Sequence, residues 1–187
     1  MANKVKYGLK NVYYAVATFD GANVTYASPV AIPGAVDMSL SKNGDTYDFY
    51  ADDGVYFEIA DNTNYEGDLE IALIPDGFRT AVLGEALDGK NVMFENANTA
   101  QIHFALLFEF TGDDKAIRHV LYNCTAKESA VEGTTKGENI EVKTEKLTIT
   151  AKALPDGKIK AKTGASTDAT TYNGWYSAVY TFTAATT

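Results

Sequence analysis

Two histidines, one cysteine and two pairs of adjacent aspartates are the residues with the clearest potential for chemistry in this sequence. His103 and His119 lie in apolar, strand-like surroundings, without a cysteine or acidic residue at the close spacing that metal sites usually show. Cys124 has no local nucleophile motif, and a free cysteine among strand residues generally packs as a small apolar side chain. These three residues favour structural roles over metal binding or nucleophilic catalysis.

The aspartate pairs Asp52-Asp53 and Asp113-Asp114 could supply acid–base chemistry, but each pair adjoins a glycine, which is typical of a solvated turn. Residues 61–64 resemble the start of a calcium loop, yet Glu66 stands where such a loop needs glycine, and no glutamate occupies its twelfth position. The chain also lacks a G-x-S-x-G elbow, a P-loop and a dinucleotide-binding glycine motif. We therefore predict neither an enzymatic activity nor a cofactor.

Charge is distributed unevenly along the chain. Residues 37–76 contain eleven acids and a single base, Lys42. Strand alternation places Asp37, Glu58, Asp68 and Glu70 on faces opposite their apolar neighbours. Such a face is either the solvated side of an antiparallel sheet or a wall that repels an anion.

Residues 115–162 reverse this balance, with ten bases against six acids. Opposite patches on identical subunits could meet head to tail in a ring or a stack, although surface solubility would also explain them. The net charge of -9 and the pI near 4.7 argue against a protein that grips nucleic acid by its phosphates.

The elements that position these residues are mainly strands. A chain of 187 residues fits one domain, here residues 1–187, and its 12 Tyr and 9 Phe favour sheet. Alternating segments are separated by turns at Asp20-Gly21, Asn43-Gly44 and Asp53-Gly54, and by a polar loop at residues 61–64. Further strands are predicted at residues 91–95, 102–110, 116–125, 140–154, 158–162 and 175–182.

One segment predicts a helix. Asp76 can cap a run that carries Phe78, Ala81, Val82 and Ala86 on one face and ends at Gly89. About ten short strands and one helix predict a mainly β fold, an antiparallel β-sandwich or barrel with one flanking α-helix. No apolar run is long enough for a signal-peptide core or a membrane span.

Several stretches, taken in order, make the chain resemble the major tail proteins of siphophages that infect Gram-positive bacteria. No single stretch is diagnostic, but their order and spacing together are specific and cover nearly the whole chain. The stretches are Tyr7-Gly8-Leu9-Lys10-Asn11-Val12-Tyr13-Tyr14-Ala15, Ile32-Pro33-Gly34-Ala35-Val36, Phe49-Tyr50-Ala51-Asp52-Asp53-Gly54-Val55-Tyr56, Tyr65-Glu66-Gly67-Asp68-Leu69-Glu70-Ile71-Ala72, Phe104-Ala105-Leu106-Leu107-Phe108-Glu109, Arg118-His119-Val120-Leu121-Tyr122-Asn123-Cys124, and Trp175 before Val179-Tyr180.

The resemblance implies a phage tail-tube-like fold and a structural role. Its partners would be further copies of itself, in hexameric rings stacked into a tube, and other tail proteins at the tube ends. Double-stranded DNA would pass through transiently, without specific binding, and no membrane partner is expected. The protein would belong to the virion tail after assembly in the host cytoplasm, and we expect no C-terminal immunoglobulin-like domain.

Within that picture we assign two groups of residues. The first group is acidic and is expected to line the lumen, so that DNA phosphates are repelled: Asp37, Asp45, Asp48, Glu58, Asp68 and Glu70. The second group is expected at contacts between rings, in the N-terminal segment 1–6 and in loops 41–53 and 128–139: Lys4, Lys6, Lys42, Asp52 and Asp53.

The sequence is also compatible with two other classes of protein. A monomeric carbohydrate-binding or adhesin domain could use Tyr50, Tyr56, Tyr65 and Trp175 as an exposed stacking platform. A hydrolase on a β-scaffold would need a convergent acid or nucleophile site, which these spacings do not supply.

Overall fold

The computed structural model describes residues 3–133, 135 and 142–183, without the side chains of residues 45–47 and 59–63. Within these residues, the helical segments are α1 (Asp76–Phe78), which continues as a π-helical turn (Arg79–Leu83), and α2 (Ala169–Asn173). The strands are β1 (Lys6–Asp20), β2 (Asn23–Tyr26), β3 (Val30–Ala31), β4 (Ala35–Ala51), β5 (Gly54–Ile71), β6 (Ala86–Leu87), β7 (Met93–Phe94), β8 (Phe104–Gly112), β9 (Ile117–Glu128), β10 (Glu145–Lys152) and β11 (Lys160–Lys162).

One antiparallel sheet dominates the fold. Its strand order is β2-β1-β8-β9-β10-β5-β4, with β3 added beside β1 and β11 beside β9. The sheet curls so that β4 comes back against β1, which gives two facing layers. The prediction of a mainly β, antiparallel fold with a flanking helix is confirmed. Among the described residues, no helix is long and apolar enough to cross a membrane.

The main core lies between these layers and under the helix. Phe78 of α1 packs edge-on against Tyr14 of β1 and Phe104 of β8, with ring centroids 5.0 and 5.7 Å apart. Leu69 and Ile149 from the other layer are fully buried in the same cluster. The helix therefore closes one end of the sandwich.

A second core covers the opposite face of β8 and β9. Leu107 and Val120 are fully buried beneath Trp175 and Val179 from the C-terminal segment. Burial on both faces explains why residues 104–107 form a continuous apolar run, whereas a strand with one wet face alternates.

The hairpin predictions are partly confirmed. The chain turns at residues 21–22 between β1 and β2, one residue later than predicted, and at Asp52-Asp53 between β4 and β5, one residue earlier than predicted. Asp52 and Asp53 have φ of 54° and 59°, as a type I′ turn requires. The turn at Asn43-Gly44 and the loop at 61–64 are wrong, because β4 and β5 run through them as one long hairpin. Between the pairs Asn43–Asn64 and Asp45–Asp61, the single β4 residue Gly44 lies opposite two β5 residues, 62 and 63, so the bulge belongs to β5.

The predicted helix is shorter than expected. It ends at Gly84, whose φ of 76° is left-handed, and Ala86 already belongs to β6, so neither Ala86 nor Gly89 belongs to the helix. Asp76 does not cap it, because Pro75 occupies the N-cap position and no side-chain cap bond forms. A glycine after the apolar face is a typical helix end, and here the first one stops the helix.

The C-terminal strand predicted at residues 175–182 is also wrong. Asp168 caps the short helix α2 by accepting a hydrogen bond from the Thr171 amide at 2.9 Å. The chain then lies across the sheet, with Trp175 stacked on Tyr180 and its indole donating to the His119 carbonyl at 3.3 Å. These aromatics are core residues that cover β8 and β9 without joining the ladder.

Candidate assembly surfaces

The histidines and the cysteine occupy structural positions. The His103 Nδ1 atom lies 2.7 Å from the Asn123 side-chain oxygen, and the His119 ring stacks on Phe108 at 5.0 Å. Cys124 is fully buried, and burial raises the pKa of its thiol to about 12, so it stays protonated and poorly nucleophilic at neutral pH. Among the described residues, no group of three His, Cys, Asp or Glu side chains could hold a metal ion.

Both aspartate pairs lie at turns. Asp52 and Asp53 form the turn between β4 and β5, and Asp113 lies between β8 and β9. The Asp113 carboxylate accepts a hydrogen bond from the Lys4 amide at 2.8 Å, which, with a further bond from the Val5 amide, lowers its pKa. The second turn therefore anchors the N-terminal segment to the sheet.

Three predicted lumen acids share the outer face of the sheet. Asp37 and Glu70 oppose each other across β4 and β5, and Asp68 follows on the same face of β5, away from buried Leu69. Lys146 lies 3.8 Å from Glu70 and partly offsets the charge. The predicted alternation of acidic and apolar faces is therefore confirmed for these three residues.

The other predicted lumen acids lie farther along the same hairpin. Asp48 and Glu58 oppose each other directly, at a level where β5 no longer pairs with β10. The backbone of Asp45 pairs with Asp61, but its side chain lies outside the described residues. The structure thus divides the acids into a group on the sheet and a group beyond it, and the lumen assignment stays a prediction.

The hairpin extends well past the sheet, and we call residues 44–63 the arm. Its base is the pair Asn43–Asn64, which is also where the pairing of β5 with β10 stops at Lys152. The sheet supports β4 and β5 below this level, whereas above it the two strands pair only with each other within the described residues. The arm is therefore a two-stranded ribbon without a supporting layer.

The end of the arm, residues 48–58, is aromatic and exposed, and we call it the tip. Phe49, Tyr50, Tyr56 and Phe57 are 62%, 66%, 71% and 60% exposed. The tip also carries four carboxylates and no base. An aromatic and anionic hairpin end of this kind has the composition of a contact surface, because large exposed apolar patches in soluble proteins usually mark interaction sites.

A basic aromatic cleft opens on the other side of the arm base, and we call it the groove. It measures about 330 Å³ and is lined by Lys6, Met38, Tyr65, Phe110, His119 and Lys160 among others. The Lys6 ammonium lies over the Phe110 ring at 4.7 Å, and the Lys160 ammonium lies over the Tyr65 ring at 4.5 Å. Burial, with the positive charges of Lys162, Lys6 and Lys160 nearby, lowers the pKa of His119 to about 4. His119 is therefore neutral at physiological pH, and the lysines supply the charge of the groove.

The predicted inter-ring residues fall at different places. Asp52 and Asp53 form the tip turn, Lys6 borders the groove, and Lys42 is exposed just below the arm base. Lys4 is bound through its backbone to the β8–β9 turn. Of the other predicted contact regions, residues 1 and 2, residue 134 and residues 136–141 lie outside the described residues.

Sequence reasoning missed two charge networks, one partly buried and one centred on a buried glutamate. Arg79 binds Glu128 at 2.9 Å and also Glu85 and Glu145, which ties the helical turn to β9 and β10. Glu109, only 7% exposed, accepts hydrogen bonds from three side chains: Asn11 at 2.7 Å, Arg118 at 3.0 Å and Tyr176 at 3.1 Å. In the sequence, Glu109 stands out as the single acid inside the apolar run 104–110. Its three hydrogen-bond donors compensate the cost of burying the carboxylate, which gives Glu109 a structural role.

The glycan platform predicted for a carbohydrate-binding domain is not formed. Trp175 is 3% exposed because it packs against β8 and β9, and Tyr65 is partly buried at the groove beside Lys160. Tyr50 and Tyr56 are exposed, but at the tip of the arm. The four rings therefore do not share one surface.

No protein-family model matches this chain, and no curated protein sequence matches it either. Among solved structures, the chain is similar to the tube-terminating cap of the anti-feeding prophage, with a TM-score of 0.42 and 12% sequence identity. The alignment covers 86% of this chain and 94% of that chain.

Proposed function

We propose that this chain is a non-enzymatic structural subunit of a phage tail tube, which assembles with itself into stacked hexameric rings around a conduit for DNA. The observation that carries this proposal is the arm, an exposed aromatic hairpin that extends beyond the sheet. The resemblance of the sequence to siphophage major tail proteins supports the same role. In this proposal the subunit is made in the host cytoplasm and ends in the virion, where other tail proteins contact the tube ends.

The arm is expected to have little stability of its own in an isolated monomer. A two-stranded hairpin in water is at best marginally stable, and the opposed acids Asp48 and Glu58 weaken the pairing further. Phe49 and Phe57 also oppose each other across the ribbon while both remain exposed. Burial against a neighbouring subunit would remove these apolar rings from water and supply the layer that the ribbon lacks.

The sheet offers a second means of association. β4 is the last strand of the sheet order, and in the described part of the chain it pairs only with β5. An open strand edge is a template for pairing with another chain. In a ring, this edge would pair with a strand of the neighbouring subunit and so continue the sheet. A closed ring therefore turns an aggregation hazard into a defined assembly.

The direct test is negative-stain electron microscopy of the purified chain, with its light-scattering mass measured over a range of concentrations. We expect rings or hollow tubes with six subunits per layer, and a mass that rises with concentration. A chain that remains monomeric up to its solubility limit would contradict the proposal. Binding of a glycan by such a monomer would support the carbohydrate-binding alternative.

We further propose that the acidic outer face of β4 and β5 lines the conduit. A lumen that carries Asp37, Asp68 and Glu70 would repel DNA phosphates, whereas basic residues would release counterions and hold the DNA at every ring. The face owes this charge to strand alternation, which turns the apolar partners of these acids toward the core.

Substitution of Asp37, Asp68 and Glu70 by lysine should give tubes that form normally but eject DNA about tenfold more slowly or worse, because phosphate contacts accumulate along the tube. The measurement is the rate of triggered DNA release from particles built with the variant, followed with a DNA-binding dye. The neutral variant D37N/D68N/E70Q is the matched control and should slow ejection far less. Ejection at the wild-type rate by the lysine variant would remove these acids from the lumen.

A further inference from the structure

The groove and the tip are complementary in charge. Lys6 and Lys160 stand at the groove, and neither forms an ion pair within the described residues. The groove lining contains no acid, whereas the tip contains no base. Each surface therefore carries the charge that the other lacks.

The two surfaces are also complementary in apolar character. The floor of the groove contains Met38, Phe110 and Tyr65, and its volume of about 330 Å³ can receive one or two aromatic side chains. The tip presents aromatic rings that are largely exposed, Tyr56 most of all at 71%. Aromatic pairs add stabilisation beyond the area they bury. Tip rings that packed against Phe110 and Tyr65 would therefore stabilise the contact with the groove.

A subunit cannot place its own tip in its own groove. The groove includes Met38 and Tyr65, which lie in β4 and β5 just below the arm base. From Asn43 to Asp52 the strand rises about 30 Å away from that base, at roughly 3.3 Å per residue. The occupant must therefore come from another molecule.

We propose that the groove is the receptor for the arm tip of a second copy of this chain, so that tip and groove form a repeating head-to-tail junction. The tip aromatics insert against Phe110 and Tyr65, and the tip carboxylates pair with Lys6 and Lys160. Because two different surfaces of one chain meet, the junction is heterologous and propagates from copy to copy. This inference rests on the proposed role as a self-assembling subunit and names the site that receives the arm.

The test reverses the charge of each surface separately. K6E/K160E makes the groove acidic. D48K/D52N/D53N/E58K changes the tip from four negative charges to two positive ones, and asparagine keeps the two left-handed turn positions. Each variant alone should need a roughly tenfold higher concentration to assemble, because both of its surfaces then carry the same sign.

Mixing the two variants gives the decisive result. The basic tip of one variant fits the acidic groove of the other, and the acidic tip of the second fits the basic groove of the first. An equimolar mixture should therefore assemble at close to the wild-type concentration, with the two variants alternating. Light scattering of the mixture against each variant alone measures this, and circular dichroism checks that each variant is folded.

K127E/K152E is the matched control for net charge. It makes the same charge change as the groove variant, but Lys127 and Lys152 are exposed on the outer face of the sheet. It should assemble with the wild-type concentration dependence. Its mixture with the tip variant should show no recovery beyond the assembly that the control reaches alone.

The outcomes separate this inference from the proposed function. If the wild type assembles and the groove variant assembles equally well, or if the mixture of the two variants shows no recovery, the groove is not the receptor and the tail-tube proposal stands. If the wild type does not associate at any concentration, the tail-tube proposal fails, and the inference fails with it.

Discussion

Removal of the arm is expected to abolish assembly while leaving a folded monomer. The variant joins Asn43 to Asn64 through an Asn-Gly turn in place of residues 44–63, and this dipeptide suits a two-residue hairpin between directly opposed strand residues. None of the described buried apolar residues belongs to the arm, so the core is untouched. Circular dichroism should show a native spectrum and a Tm within a few degrees of the wild type, and light scattering should show a monomer at every concentration.

The control for this deletion lies on another hairpin. Leu87 and Val92, near β6 and β7, are 52% and 51% exposed, so L87S/V92S also removes apolar surface without touching the core. This variant should assemble like the wild type. Tubes formed by the arm-less chain at wild-type concentrations would refute the role of the arm, and an unfolded arm-less chain would show that the ribbon contributes to the fold.

The second large effect is expected at Gly67 of β5, the strand between β10 and the edge strand β4. Gly67 pairs with Leu40 of β4 on one side and with Ile149 of β10 on the other. A Cβ atom at this position would lie 1.9 Å from the Ser39 carbonyl oxygen, a backbone atom of β4. Gly67→Ala must therefore push β4 away from β5 and break ladder hydrogen bonds just below the arm.

We expect Gly67→Ala to lower the free energy of unfolding by at least about 3 kcal/mol, within the range for backbone strain combined with loss of a buried hydrogen-bond network. Urea denaturation measures this loss. Gly89→Ala is the matched control, because nothing lies within 4 Å of a Cβ at Gly89, and it should change stability by less than about 0.5 kcal/mol. Equal denaturation midpoints for the two variants would show that the sheet accommodates the methyl group at no cost.

If Gly67→Ala is less stable but still folds, it also tests whether the position of β4 affects assembly. The absence of a side chain at Gly67 allows β4 to lie close to β5 just below the arm base. Movement of β4 away from Gly67 would also displace Met38 at the groove. The folded fraction of Gly67→Ala should therefore assemble less well than Gly89→Ala at the same concentration of folded protein. Equal assembly would show that the arm and the groove tolerate movement at their base.

Local patterns predicted several parts of this molecule correctly. The turn at Asp52-Asp53 follows from residues that tolerate left-handed φ, and the fully buried strand β8 follows from an uninterrupted apolar run. The acidic face at Asp37, Asp68 and Glu70 follows from alternation, because the side-chain period of a strand is two wherever its partners lie. These features depend on residues adjacent in the sequence, so they could be predicted without knowledge of the tertiary structure.

Three other features depended on distant partners. Asn43-Gly44 has the composition of a hairpin turn, but it lies within a strand, opposite a bulge in β5, because β4 continues to pair with β5 beyond it. Trp175 lies in an aromatic run typical of a strand, yet it covers β8 and β9 as part of the second core. Glu109 looks unfavourable inside an apolar strand until the fold brings Arg118 and Tyr176 to it.

The sequence by itself determined that this protein is a mainly antiparallel β structure with an acidic face, because alternation, turn residues and charge are local properties. Only the tertiary structure decided that Phe49 and Phe57 are exposed on an arm, since the same alternation would describe a buried hairpin. The difference arises where β10 stops pairing at Asn64 and leaves the two strands without a supporting layer. The groove likewise exists only because folding brings Lys6 and Lys160 to one cleft from opposite ends of the chain.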